Sequence, residues 1–182
     1  MTARLFLLIL IFSYAISGCK KDKSTGNHEE DFVKGQVLVG IDSTVSLERN
    51  FDYINALSLS IGQASGFTFT TTLGKDHIPS IIELLNSKPY INNHGFSASV
   101  WEHYQSGIVY NTSILWNMSQ QNQLDYLTTL KSLKMTEKLT PYRSLLIIVP
   151  EGMEQLWLNR LKDQKWVSWA ALNYHTKIAP WE

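Results

Sequence analysis

Short apolar runs of strand length alternate with helical stripes of apolar residues, and this order limits the possible folds more than any other feature of the chain. Residues 36–41 form a Val-rich run that is typical of a buried strand. Leu47, Phe51 and Ile54 then recur at spacings of four and three, which predicts a helix with one face toward a sheet. A hairpin turning at residues 64–66, a second helix and a further strand complete the order β-α-β-β-α-β.

The second half of the chain repeats this order. An offset of 76 residues aligns the apolar stripes of both helices, pairing for example Leu85 with Leu161. We therefore predict an α+β fold in which residues 32–105 and residues 106–182 form two tandem ferredoxin-like modules. Each module would have a four-stranded antiparallel sheet with two helices on one face. Residues 145–149 are apolar on both faces, which predicts a central strand.

The chain begins with the features of an export signal. Residues 1–18 contain Arg4 and then an apolar run that is too short to cross a membrane. The sequence Ile-Ser-Gly-Cys that ends at Cys19 resembles the lipobox of bacterial lipoproteins. This resemblance implies that Cys19 is lipidated, becomes the new N-terminus after cleavage and anchors the protein to a membrane. Residues 19–31 have no apolar residue after the cysteine, which predicts a flexible tether, and Lys20 resembles the signal for sorting to the outer membrane.

Charge and cysteine content exclude several classes of protein. The chain of 182 residues has 16 basic and 16 acidic side chains, so its formal net charge is zero, and 44% of its residues are hydrophobic. A neutral chain is poorly suited to binding nucleic acid, which requires clustered cations. Its one cysteine rules out an intramolecular disulfide framework and a cluster of thiolate metal ligands. We therefore expect a globular protein without a nucleic-acid partner.

Two separated segments resemble the inhibitor-type propeptide modules of subtilisin-like peptidases. The first segment, residues 32–39, is similar to the opening strand of these modules. The second segment is similar to their second half in three short stretches, at residues 145–152, 158–161 and 167–174. The resemblance implies a split β-α-β fold and a role in binding a peptidase through a C-terminal tail. Ala171 stands where the final motif of the family usually has an acidic residue.

Motifs for catalysis are incomplete. Ser97 lies in a sequence that lacks the second glycine of a nucleophile elbow. Glu102 and His103 are adjacent and suit acid-base chemistry, but no nucleophile accompanies them. His28 precedes three acidic residues, which we interpret as part of a solvated tether. The other histidines are scattered, at His77, His94 and His175. We predict no metal, no cofactor and no enzymatic activity.

Tryptophans are concentrated in the second half of the chain. Trp116 and Trp157 lie on apolar patterns and are expected to pack in the core. Trp166, Trp169 and Trp181 are the candidates for a binding surface. The resulting hypothesis is a lipid-anchored cell-envelope protein that binds a protein or peptide through its edge strands or tail. A carbohydrate-binding envelope lipoprotein that uses these three tryptophans is the alternative, and an uncharacterised enzyme is another.

Overall fold

The computed structural model describes residues 32–174. The predicted signal peptide, Cys19 and the tether lie outside the described residues, as do His175 and Trp181. The described strands are β1 (Phe32–Ile41), β2 (Ser60–Ser65), β3 (Thr68–Thr71), β4 (Val100–Glu102), β5 (Val109–Asn111), β6 (Leu115–Met118), β7 (Met135–Lys138), β8 (Ser144–Ile148) and β9 (Val167–Tyr174). The helices are α1 (Leu47–Ala56), α2 (Ile78–Asn86), α3 (Gln120–Ser132) and α4 (Glu154–Lys162), with a 3-10 turn at Lys75–His77. Within this range no helix is both long enough and apolar enough to span a bilayer.

The strands form two sheets. Sheet A has the order β6-β2-β8-β1-β9, and sheet B has the order β4-β5-β3-β7. Neighbouring strands are antiparallel throughout both sheets. The predicted α+β class with antiparallel sheets is therefore confirmed.

The expectation of two tandem modules is not confirmed, because each sheet combines strands from both halves of the chain. In sheet A, Val39 of β1 lies opposite Leu145 of β8 on one side and Ala170 of β9 on the other. A boundary near residue 105 therefore does not separate two independent sheets. The repeated helical stripes describe similar local elements, but such a pattern does not specify which strands pair.

Four neighbouring strands of sheet A consist of two interleaved β-α-β units. One unit is β1-α1-β2 and the other is β8-α4-β9. β8 lies between the two strands of the first unit, and β1 lies between the two strands of the second. The predicted central position of residues 145–149 is confirmed, since β8 is the middle strand of the sheet.

The predicted hairpin around residues 64–66 is wrong. β2 ends at Ser65 and pairs with β6 and β8, whereas β3 begins at Thr68 and pairs with β5 and β7. Gly66 between them has a φ of +79°, and a side chain there would meet the carbonyl oxygen of Tyr142. Glycine is therefore required where the chain passes from one sheet to the other.

Alternating side chains of sheet A form the main core. Val37 and Val39 of β1 and Ile147 of β8 are fully buried, whereas the residues between them are less buried. Phe51 of α1 and Leu161 of α4 belong to the same buried cluster. The apolar stripes of both connecting helices thus pack with one face of the sheet.

A buried arginine joins two connections of the chain. Arg143 is 1% exposed, and its guanidinium donates to the carbonyl oxygens of Asp42 and Val45 at 2.8 and 2.7 Å. It also donates to the carbonyl oxygen of Thr140 at 2.9 Å and to Oε1 of Glu137 at 2.8 Å. These bonds hold the segment between β1 and α1 against the segment between β7 and β8.

Candidate functional site

The outer edge of β9 is the longest strand edge in the two sheets. β9 has 8 residues, whereas the other edge strands β4, β6 and β7 have 3, 4 and 4. The edge at β6 is partly occupied, because the amide of Trp116 donates to the carbonyl oxygen of Tyr90 at 2.8 Å. Among the described residues, β9 pairs only with β1.

Hydrogen bonds at the end of β1 establish which of its amides point toward β9. The amide of Ile41 donates to the carbonyl oxygen of Arg143 on the β8 side. The next amide, that of Asp42, donates to the carbonyl oxygen of Trp166 on the β9 side. Because successive amides of a strand point to opposite sides, the even-numbered amides of β1 point toward β9.

The same alternation identifies the amides of β9 that have no strand partner within residues 32–174. Trp169 and Ala171 lie opposite even-numbered residues of β1, so their amides point inward. The amides of Ala170 and Leu172 therefore point to the outer edge. These two N–H groups and the neighbouring carbonyl groups are available to a further strand.

β9 also lacks two residue types that usually protect an edge strand, although its register against β1 is irregular at both ends. Its sequence, Val-Ser-Trp-Ala-Ala-Leu-Asn-Tyr, contains neither a charged residue nor a proline. Natural sheets use these residue types at edges to prevent pairing with other chains. Their absence leaves the β9 edge chemically suited to strand addition.

Trp169 lies beside this edge on the face of sheet A opposite the helices. Its side chain is 49% exposed, and its indole ring covers Gly40 so closely that a side chain at position 40 would overlap it. On the same face, Nδ2 of Asn173 donates to Oε1 of Gln36 at 2.6 Å. The prediction that Trp169 is exposed for binding is consistent with this placement.

The other tryptophans named from the sequence differ in position. Trp166 is 5% exposed and stacks on Tyr53, with ring centroids 5.6 Å apart, so most of its ring is buried and not presented on the surface as the sequence predicts. The aromatic ring completes the core where α1 meets the start of β9. Trp157 packs against the core as expected, and Trp116 is half-buried. Trp181 lies outside the described residues.

A row of exposed and half-buried side chains crosses all four strands of sheet B. Trp101, Tyr110, Thr70 and Thr136 lie opposite one another in this order on β4, β5, β3 and β7. We call these four residues the aromatic row. The rings of Trp101 and Tyr110 are nearly parallel, with centroids 5.7 Å apart, and Nζ of Lys138 lies 5.3 Å from the centroid of Tyr110. The sequence interpretation missed this row, although Val-Trp-Glu and Val-Tyr-Asn both alternate as strands do.

A shallow depression of about 290 Å³ adjoins the threonine end of the aromatic row. Its lining includes Thr70, Thr72 and Thr136, together with Lys134 and Ile108. The face of sheet B thus changes from aromatic at one end to hydroxyl-lined at the other.

Two carboxylates in the described part are engaged in structural contacts. Oε1 of the buried Glu154 accepts the amides of Gly35 at 2.6 Å and Gly152 at 3.1 Å, and the bond from Gly35 lowers the pKa of this carboxyl. Glu137 accepts the amide of Leu47 at 2.8 Å, and burial raises its pKa despite the guanidinium of Arg143 beside it. Both groups stabilise the fold.

A third carboxylate links α3 to the segment after α2. Asp125 accepts the hydroxyl of Tyr90 at 2.6 Å and pairs with Nζ of Lys88 at 2.9 Å. The bond from Tyr90 and then that from Lys88 lower the pKa of Asp125, whereas burial raises the pKa of Tyr90 above its ordinary value. These bonds hold the segment after α2 against α3.

The residues considered for catalysis do not form one constellation. Ser97 is exposed in the segment before β4, and the ring of His94 packs on Trp116 at 4.6 Å. His103 lies in the turn after β4, where its Nδ1 is 3.1 Å from Oγ of Ser106. In residues 32–174 no set of three or more His, Cys, Asp or Glu side chains is placed to hold a metal ion.

An apolar groove lies between α1 and α3. It has a volume of about 480 Å³ and is lined by apolar side chains that include Leu47, Leu124 and Leu127, with Glu137 among its polar residues. Since Glu137 already accepts two internal donors, it is committed to the structure.

No protein-family model, curated protein or solved structure matches the chain.

Proposed function

We propose that this chain is a lipid-anchored, non-enzymatic protein of the bacterial cell envelope that binds an extended peptide segment of a protein partner. The observation that carries the proposal is the outer edge of β9, which has no strand partner among the described residues 32–174 and has eight residues, two outward amides and no charged or proline residue. A peptide added there would extend sheet A by one strand, and its backbone would supply most of the affinity.

Trp169 provides a contact for the side chains of such a peptide. In an added strand, alternate side chains project on the same face of the sheet as this half-exposed indole. Aromatic rings contribute strongly to protein interfaces because they bury much apolar area with little loss of side-chain freedom. The β9 edge therefore combines backbone pairing with one aromatic anchor.

The finer architecture that we propose is a single ferredoxin-like unit with a long insertion. The unit comprises β1, α1, β2, β8, α4 and β9, and the insertion between β2 and β8 contains sheet B. The segments that resemble peptidase propeptides fall in β1, for residues 32–39, and in β8, α4 and β9, for residues 145–152, 158–161 and 167–174. Their adjacency in sheet A supports the resemblance, and a subtilisin-like peptidase is accordingly one candidate partner.

The envelope location rests on the N-terminal sequence. Residues 1–18 would direct export, Cys19 would carry the lipid, and Lys20 favours the outer membrane. One acyl chain holds a protein only weakly, so the two or three chains of a bacterial lipoprotein would give a durable anchor.

A peptide-display selection against the chain from Lys20 to Glu182 tests the proposal. We expect the selected peptides to bind in an extended conformation, with a measurable dissociation constant. Hydrogen exchange at the amides of Ala170 and Leu172 should slow when peptide is bound, because these amides gain partners. The amides of Trp169 and Ala171 serve as internal controls, since they already face β1.

Trp169→Ala should weaken peptide binding about tenfold, because it removes a central aromatic contact. Trp101→Ala is the matched control, as it removes a similarly exposed tryptophan from sheet B. Absence of any peptide binder would contradict the function. Peptide binding that leaves exchange at Ala170 and Leu172 unchanged would contradict strand addition at β9.

A further inference from the structure

The face of sheet A opposite α1 and α4 has an uncharged centre. On β1 this face presents Gln36, Leu38 and Gly40, and each of them has a neighbour on β8 and another on β9. β2 continues the same three rows beyond β8, at Ser60, Gln63 and Ser65. We call these three rows, from β2 to β9, the open face. None of its residues is charged, and all except Gly40 are half-buried or exposed.

We propose that the open face forms the interface of a homodimer, in which sheet A packs face to face with sheet A of a second copy of the chain. Two sheets that pack in this way lie about 10 Å apart, and the side chains of the facing surfaces interdigitate. This interface is distinct from the peptide site at the outer edge of β9 and does not depend on it. A face-to-face contact leaves the outward amides of β9 without a new partner.

Apolar side chains form the middle of the open face. Leu38 and Leu146 lie opposite each other in its central row. In the two flanking rows, Ile148 is 39% exposed and Trp169 is 49% exposed. Interface cores are depleted of charged residues and enriched in aromatic ones, and large contiguous apolar patches are rare on monomers. The composition of the open face is therefore typical of a surface that a protein partner covers.

Four polar side chains of the open face bond to one another. Nδ2 of Asn173 donates to Oε1 of Gln36 at 2.6 Å, and the hydroxyl oxygens of Ser65 and Ser144 are 3.0 Å apart. Groups that are paired within one surface keep these bonds when water leaves, so burying them costs less free energy. Gln63 has both a donor and an acceptor, which an identical face of a second copy can match.

The area of the open face is sufficient for a stable dimer. Trp116 of β6 lies opposite Gln63, and the ring of Phe96 packs on its indole, so the apolar surface extends to the fifth strand of the sheet. Five strands about 4.8 Å apart and three rows about 6.7 Å apart give roughly 480 Å² in each copy. Side-chain relief increases this area, so two copies would bury more than about 1,000 Å², the size expected of a specific interface.

A second copy fits this face better than the alternative occupants. Because the face has no charge, it offers no complement to a charged partner but is compatible with an identical uncharged face. A bilayer is disfavoured, since its hydrocarbon offers no hydrogen-bond partner to Gln63 and its anionic headgroups attract cations that this face lacks. Residues 175–182, which follow β9 in the sequence, are the remaining candidate, and their removal is part of the test.

Sedimentation equilibrium of the chain from Lys20 to Glu182, at about 1 to 200 μM, tests the proposal. We expect a reversible dimer with a dissociation constant of roughly 10 μM or tighter. Ile148→Lys should weaken dimerisation at least about thirtyfold, because it places an ammonium group from each copy in an apolar contact. Leu156→Lys is the matched control, since Leu156 is 40% exposed on α4, away from the open face, and should leave the dissociation constant within about twofold.

Two further measurements locate the contact. Hydrogen exchange at the outward amides of Ala170 and Leu172 should be the same in monomer and dimer, because a face-to-face contact adds no strand to β9. Removal of residues 175–182 should leave the dissociation constant within about twofold, because the open face lies within the described residues. Unchanged far-ultraviolet circular dichroism and urea midpoints establish that each variant is folded.

Four results would overturn the proposal. The first is a monomer at about 200 μM. The second is a folded Ile148→Lys variant that dimerises as tightly as the original protein. The third is slower exchange at Ala170 and Leu172 in the dimer, which would place the contact at the β9 edge. The fourth is a dimer that forms only after residues 175–182 are removed, which would make that segment the occupant of the face. Failure of peptide selection at β9 leaves each of these measurements unaffected, so the two proposals can be judged separately.

Discussion

Glu154 joins two backbone segments that are more than a hundred residues apart in the chain. Its carboxylate accepts an amide from β1, at Gly35, and another from the turn before α4, at Gly152. Gly35 has a φ of +71°, so the carboxylate fixes a strand at a point where the backbone departs from extended geometry. No pattern in the sequence predicts this contact. An acidic residue in the first turn of a helix is already explained by its favourable interaction with the helix dipole, so it does not indicate a distant partner.

Glu154→Ala should lower the free energy of unfolding by about 1–3 kcal/mol, because two amides lose a charged acceptor. Glu154→Gln should cost less at neutral pH, since the amide oxygen can still accept. The pKa of Glu154 is lowered in the folded protein, so its contribution is present above the ordinary glutamate pKa and is lost as the pH falls through the lowered value. Urea unfolding at a series of pH values from 7 to about 3 measures this difference.

Between pH 7 and about 3, the free energy of unfolding should therefore fall less for Glu154→Gln than for the original protein. Glu151→Gln, at an exposed position just before the same helix, is the matched control and should behave like the original protein. Parallel pH profiles for the Glu154→Gln variant and the original protein would contradict the assigned role.

Helices and central strands can be predicted from local patterns, whereas the pairing of strands cannot. Ser46 and Ser119 are recognisable in the sequence as helix caps, and each side chain accepts an amide three residues later. The pattern at residues 167–174 predicts the last strand, which is where β9 lies. These features depend on residues that are close in sequence, so one amino-acid sequence is sufficient to predict their positions.

The segment at residues 107–116 shows why the pairing of strands and their assignment to sheets cannot be predicted from the sequence. It alternates like one strand, but the chain forms β5 in sheet B and then β6 in sheet A. Both short strands satisfy the same alternation, and the change of sheet depends on distant partners such as β2 and β3. For the same reason the aromatic row cannot be found from the sequence, since its members come from four separate segments.

At the scale of the element, α4 should depend strongly on its buried stripe. Leu161→Ala should lower the free energy of unfolding by about 2–5 kcal/mol, because the side chain is fully buried and the substitution leaves a cavity. Leu156→Ala in the same helix is the matched control, because its side chain is 40% exposed and should cost less than about 1 kcal/mol. Denaturant titration measures both values, and similar losses for the two variants would contradict the packing of α4 against sheet A.

At the scale of the whole molecule, the proposed anchor predicts a change of location. Cys19→Ala should abolish acyl labelling and release the protein from the membrane fraction, because no other cysteine can carry the thioether. Labelling with radioactive palmitate and fractionation of cells measure the two effects. Ser24→Ala, in the same polar segment, should leave both unchanged. A labelled and membrane-bound Cys19→Ala protein would refute the anchor.

The strand order of sheet A also has a consequence for the kinetics of folding. β1 is the first described strand in the chain and β9 is the last, yet the two are hydrogen-bonded neighbours, with Phe32 opposite Tyr174. Contacts between such distant segments carry a large entropic cost of loop closure, which slows folding. The interior strand β1 cannot acquire both of its neighbours until β9 has been synthesised, so a nascent chain lacks the complete sheet A until residues 167–174 are available.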